Sequence, residues 1–120
     1  MMKMIDPKTW SIWRVKFRYV DKKGKSKEKS RPFVIIGVDV DRIRGYKMTS
    51  RSWHDSDPRY YHIQEYDGTS LTEETWIDLE QVGPTLDDFE GLMGVLSERD
   101  QIDFQISLNR YMGLKRKGLV

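Results

Sequence analysis

The chain has no cysteine, four prolines and two histidines among its 120 residues. Without thiols, a disulfide framework and thiolate chemistry are both excluded, which fits a reducing compartment. His54 and His62 stand outside any metal-ligand spacing, so neither a metal nor a cofactor is expected. No Gly-rich phosphate loop and no Ser/His/Asp signature is present, which removes most standard enzyme classes. No apolar run approaches the roughly 20 residues needed to cross a bilayer, and MMKMIDPKTW lacks the apolar core of a signal peptide. The expectation is a soluble, cytoplasmic protein.

The length suits a single domain over residues 1–120, large enough to bury a core. The net charge of +2 conceals an uneven distribution: residues 1–60 carry 16 Lys/Arg against 7 Asp/Glu, and residues 61–120 carry 5 against 12. A basic half points to a polyanionic partner, although two halves that fold together also neutralise one another.

TWSIWRVKFRYV (9–20) alternates with period two. Trp13, Val15, Phe17 and Tyr19 form an apolar face, while Arg14, Lys16 and Arg18 face solvent or a ligand, the pattern of a half-buried strand. DKKGKSKEKS (21–30) reads as a basic, mobile loop. PFVIIGVDV reads as a central strand with Pro32 at its start. Further strands are expected to end at Thr49-Ser50 and to cover 59–66 and 74–82. Five short strands predict a small, closed or nearly closed barrel. The period then changes. Ser97 is a plausible N-cap, and Ile102, Phe104, Ile106, Leu108, Tyr111 and Met112 predict one helix over about 98–112 that ends near Gly113. The fold class is mainly β with a C-terminal α-helix.

Polar groups gather at the strand ends: Arg31, Thr49, Ser50, Arg51, Glu80 and Gln81. Cutting RNA without a metal needs a base for the 2′-hydroxyl, an acid for the leaving 5′-oxygen and donors for the phosphate. Arginine suits the donor role, since its planar fork matches phosphate oxygens. The same residues have plainer readings: a solvated cap for Arg31, a turn pair for Thr49-Ser50, an exposed acid for Glu80. His62 reads as a packed or surface imidazole ahead of a general base. Trp53 and His54, beside Arg51 and Arg59, either stack on bases or pin their loop to the barrel.

In order, RPFVII, GYKMTS, SLTEETWIDLEQV and GVLSERDQIDFQISLNRYMG resemble the successive segments of the MazF/PemK family of toxins, which includes Kid. The resemblance covers residues 8 to 113. It implies a dimeric SH3-like β-barrel that cuts single-stranded RNA, often messenger RNA, without metal, leaving a 2′,3′-cyclic phosphate and a 5′-hydroxyl. It also implies a cognate antitoxin whose C-terminal segment lies across the RNA site. The family's catalytic arginine falls on Arg31, its hydroxyl partner on Thr49 and the Kid-type acid on Glu80. Lys25, Lys27, Lys29 and Arg51 would track the RNA backbone, Trp53 and Gln81 would contact bases, and Ser30 and Ser50 complete the expected substrate-binding set. The chain departs from the family pattern at DKKGKSKEKS, at GPTL (83–86) and at Asp78, where Kid-type members carry arginine. Two alternatives follow: a non-catalytic barrel that binds nucleic acid or protein, and a gyrase poison of the CcdB type.

Overall fold

The computed structural model describes residues 8–39, 42–50, 55–82 and 88–120, with 81 and 82 described in backbone only. Six strands and one helix follow one another: β1 (Ser11–Val20), β2 (Ser26–Val38), β3 (Ile43–Thr49), β4 (Tyr60–His62), β5 (Trp76–Val82), β6 (Phe89–Val95) and α1 (Glu98–Arg116). They form one antiparallel sheet in the order β4-β5-β3-β2-β1-β6. The mainly β class and the C-terminal helix are as expected. The barrel is not fully closed: among the described residues no ladder joins β4 to β6. A single bridge, Thr69↔Gly94, instead ties the β4–β5 connection to β6.

The alternation in β1 sorts its side chains onto two apolar clusters, one on each face of the sheet. Trp13 and Val15 pack with Phe33, Ile35, Ile43 and Phe89 on one face. Ile12 joins Val34, Tyr46, Met48, Ile77 and Leu79 on the other, beneath the helix. Each fully buried aliphatic or aromatic side chain here is worth about 2 kcal/mol of transfer free energy. Tyr19, expected in the first set, is 48% exposed because β1, paired there with β2 alone, outruns β6 at that end.

That overhang overturns the reading of 21–30 as a loop. β2 begins at Ser26 and pairs with β1 out to Val20↔Ser26. β6 follows β1 only as far as Val15↔Phe89, and β3 follows β2 only from Phe33↔Lys47. Residues 16–20 and 26–31 therefore project as a two-stranded ribbon. Its turn is set by Asp21, whose carboxylate accepts the backbone N–H groups of Lys23 and Lys25 at 2.9 Å each, and by Gly24 at φ 77°. A solvated ribbon needs no apolar residues, which is why the lysine-rich sequence concealed it. Pro32 lies inside β2 rather than at its start, one residue before the β2–β3 ladder begins.

β2 and β3 approach closely at Gly45. A Cβ there would meet the Val34 carbonyl oxygen at 2.2 Å and the Phe33 ring at 2.5 Å, so only glycine fits the backbone spacing that aligns the two strands.

Ser97 caps α1, its Oγ accepting the Asp100 N–H at 3.1 Å, as expected from the sequence. The helix runs three residues past Gly113 and stops before Gly118 at φ 71°, with Lys115 and Arg116 in its last turn. Its buried face is narrower than expected. Phe104 and Tyr111 enter the core, where Phe104 meets Trp10, Tyr46 and Tyr61 edge-on at centroid distances of 5.7, 5.2 and 6.5 Å. Ile102 and Ile106 are 52% and 55% exposed, and Met112 also faces solvent.

Candidate active site

Phe33 on β2 lies opposite Lys47 on β3. Two residues back along β2 and two forward along β3 bring Arg31 and Thr49 opposite one another. Arg31 Nη1 stands 3.5 Å from Thr49 Oγ1, a long contact that leaves most of the guanidinium fork unspent. Both groups line a cleft of about 270 Å³ where the sheet gives way to the ribbon.

Three cations line this cleft: Arg31, Lys29 and Arg14, the last from the polar face of β1. Thr49, Ser50, Ser70 and Thr75 supply hydroxyl-bearing walls, and Glu73 supplies a carboxylate. Ser30 also lines the cleft, but its hydroxyl donates to Glu90 of β6. Lys27 lies outside, opposite Tyr19 on the ribbon as Lys29 lies opposite Phe17, and Lys25 closes the turn. Cationic and aromatic side chains therefore share one face of the ribbon. Arg51 and Trp53 lie outside the described residues, as does the side chain of Gln81, whose backbone pairs with Tyr46.

Glu80 does not join this group. Thr49 is opposite Trp76, and Glu80 lies four residues farther along β5, roughly 13 Å away at the usual strand rise. Its carboxylate is held by the helix instead, accepting from the Tyr111 hydroxyl and from Lys115 Nζ at 2.8 and 3.0 Å. The Lys115 and Tyr111 hydrogen bonds hold the Glu80 carboxyl below its usual value of about 4.5. The same carboxylate and burial push the Tyr111 phenol up to about 12. The pin is complete above the unfolded glutamate's pKa, and its stabilisation is lost as pH falls through the lowered folded value. Tyr111 contributes below about pH 10 and loses that contribution as pH rises through about 12. We expect the loss of thermal stability on acidification below about pH 4.5 to be shallower in Glu80→Gln than in the parent, read from melting temperature against pH.

Other polar residues are committed to the fold. Arg59 grips the buried Asp78 through two nitrogens at 2.8 and 2.9 Å, and its guanidinium lies over the Tyr60 ring at 5.6 Å. This bidentate pair, with Asp78 where Kid-type members carry arginine, clamps the start of β4 against β5. His62 is a packed imidazole. It stacks on Trp76 at 4.4 Å, with Nδ1 3.2 Å from Asp55, whose carboxylate also accepts the Trp76 indole N–H at 2.8 Å.

Arg14 was legible only as one of three cations on a polar strand face. Ser70, Glu73 and Thr75 stand within SLTEETWIDLEQV without being singled out there, because their place depends on how the β4–β5 connection crosses to β6. That connection is anchored by Ser70 N–H to the Met93 carbonyl at 2.7 Å and by Thr75 N–H to the Tyr66 hydroxyl oxygen at 2.9 Å.

No helix among the described residues is long and apolar enough to cross a membrane. No protein-family profile and no curated protein matches the sequence. The structure is similar to a solved endoribonuclease in complex with its cognate antitoxin from a mycobacterial species. The TM-score is 0.65 at 13% identity, over 91% of this chain and 97% of that one. At that identity the likeness is one of fold.

Proposed function

We propose that the chain is an endoribonuclease toxin of the MazF/PemK type, cutting single-stranded RNA in the Arg31–Thr49 cleft without a metal. The observation that carries this reading is the cross-strand meeting of Arg31 and Thr49 inside a cleft that also holds Arg14 and Lys29. Three cations are arranged to take a phosphodiester, and the Arg31 fork matches two of its oxygens. Thr49 adds a neutral donor to the same phosphate. Charge that builds on the non-bridging oxygens during attack by the 2′-hydroxyl is met by groups already in place. The ribbon continues the path, with Lys27 and Lys29 for phosphates and Phe17 and Tyr19 for stacked bases.

The shared fold with an antitoxin-bound endoribonuclease supports a cognate antitoxin as partner, one that covers this cleft. A homodimer is part of the reading as well. β6 is the last strand of the sheet, met by the β4–β5 connection at Met93–Val95, and Leu92 and Val95 on it are 61% and 52% exposed.

The test is to incubate the purified chain with a varied single-stranded RNA pool in excess chelator and to identify the new ends. Expected are 2′,3′-cyclic phosphate and 5′-hydroxyl ends. Cutting that stops in chelator contradicts the metal-free chemistry, and binding without cutting favours a non-catalytic nucleic-acid barrel. Thr49→Ala is expected to lower kcat by about tenfold or more with KM little changed, since a neutral donor to a charged phosphate is lost. Thr49→Ser, which keeps the hydroxyl, should retain most of the rate.

A further inference from the structure

The cleft contains a group able to remove the 2′-hydroxyl proton, and it is not the carboxylate nearest in sequence to the family-like DLEQV segment. We infer that Glu73 is the general base of the cleft, an inference that rests on the ribonuclease reading above.

Several carboxylates approach this end of the sheet, and their surroundings differ. Glu80 is turned to the helix and held by Tyr111 and Lys115. Glu90 accepts from Ser30. Glu74 stands 3.9 Å from the His62 imidazole. Glu73 is the one carboxylate lining the cleft with Arg31 and Thr49 among the described residues, and it makes no side-chain hydrogen bond or ion pair with any of them. A base must have an open lone pair and lie beside the bound phosphate, and among the described residues Glu73 is the carboxylate residue that lines the cleft without a side-chain partner.

Its backbone is firmly placed. The Leu71 N–H donates to Thr69 Oγ1 at 3.3 Å, the Thr75 hydroxyl donates to the Glu73 carbonyl at 2.9 Å, and Thr69 bridges to Gly94. The segment thus stands as a fixed wall across the cleft from β2 and β3. A phosphate held by Arg31 and Thr49 places its ribose toward that wall. Glu73 takes the 2′-hydroxyl proton as the 2′-oxygen bonds to phosphorus. The bond from phosphorus to the 5′-oxygen breaks, and that oxygen takes a proton from water. Glu73 then returns its proton to solvent, so the cycle closes with no net change in the protein.

Glu73→Gln keeps size and polarity and removes the basic oxygen. Expected is a fall in kcat of about 100-fold or more, with KM within a few-fold of the parent and the acid limb of the rate profile abolished. Glu73→Asp should restore part of the rate and the limb. Glu74→Gln, one residue along, should cut as the parent does. A parent that cuts RNA, beside a Glu73→Gln variant of equal rate and unchanged pH profile, overturns the inference while leaving the ribonuclease reading intact. A loss that follows Glu80→Gln instead transfers the role to Glu80 and likewise overturns it. A folded parent that cuts no RNA ends both.

Discussion

Arg31→Ala is expected to cut RNA about 10³-fold more slowly than the parent at saturating substrate, with the melting temperature within a few degrees. The magnitude follows from what the guanidinium does in the cleft. It is a charged, bidentate donor in a partly enclosed site, and its longest-range commitment is a 3.5 Å contact to Thr49. Its fork is free to follow the phosphate as negative charge builds. The fold should tolerate the change because Arg31 precedes the β2–β3 ladder and belongs to neither apolar cluster. Arg31→Lys keeps the charge and loses the fork, so intermediate activity is expected. Single-turnover cleavage of an end-labelled RNA, with thermal unfolding in parallel, separates the two effects.

The largest expected effect on stability lies far from that cleft. Asp100 is fully buried in the first turn of α1. Its carboxylate accepts the Gln64 and Glu65 backbone N–H groups at 2.9 Å each, the Tyr61 hydroxyl, and the Ser97 hydroxyl at 3.1 Å. One residue thereby ties the helix N-terminus to the chain leaving β4. Burial and the Asp100 hydrogen bond together raise the Tyr61 phenol well above its ordinary range. Asp100→Ala strands four donors around a fully buried position, and a loss of about 3–5 kcal/mol is expected. That is a large part of the roughly 5–15 kcal/mol that holds a domain of this size. Denaturant unfolding measures it. Asp100→Asn, which keeps an acceptor oxygen, should cost less, and amide exchange at Gln64 and Glu65 should quicken in both variants.

The contrast between these residues shows what a sequence can disclose. Arg31 and Thr49 stood out in advance as polar residues at the ends of apolar runs, although only Thr49 closes a strand while Arg31 lies five residues inside β2. Their meeting required the β2–β3 register, which depends on Gly45 and on no local pattern. Asp100 reads as one more acid in a helix's first turn, and its burial arises only when the chain beyond β4 folds over it. β6, FEGLMGV, escaped notice because its two glycines and its glutamate break the alternation seen in β1. Ile102 and Ile106 match the periodicity of a buried helix face yet point outward, since α1 covers the sheet with Phe104, Leu108 and Tyr111. Glu80 follows the family-like segment faithfully in sequence, but the helix claims its carboxylate. Glu73, in the polar connection ahead of DLEQV, is the carboxylate residue that lines the cleft instead.

The most direct measurement is a double-mutant cycle on RNA cleavage with Arg31→Ala, Thr49→Ala and the pair. If both side chains act on one phosphate, the losses are not additive: the double variant should cut little more slowly than Arg31→Ala alone, near 10³-fold below the parent. A double variant slower by the full product of the two single losses, near 10⁴-fold, would place Arg31 and Thr49 in separate roles and contradict the shared-phosphate cleft.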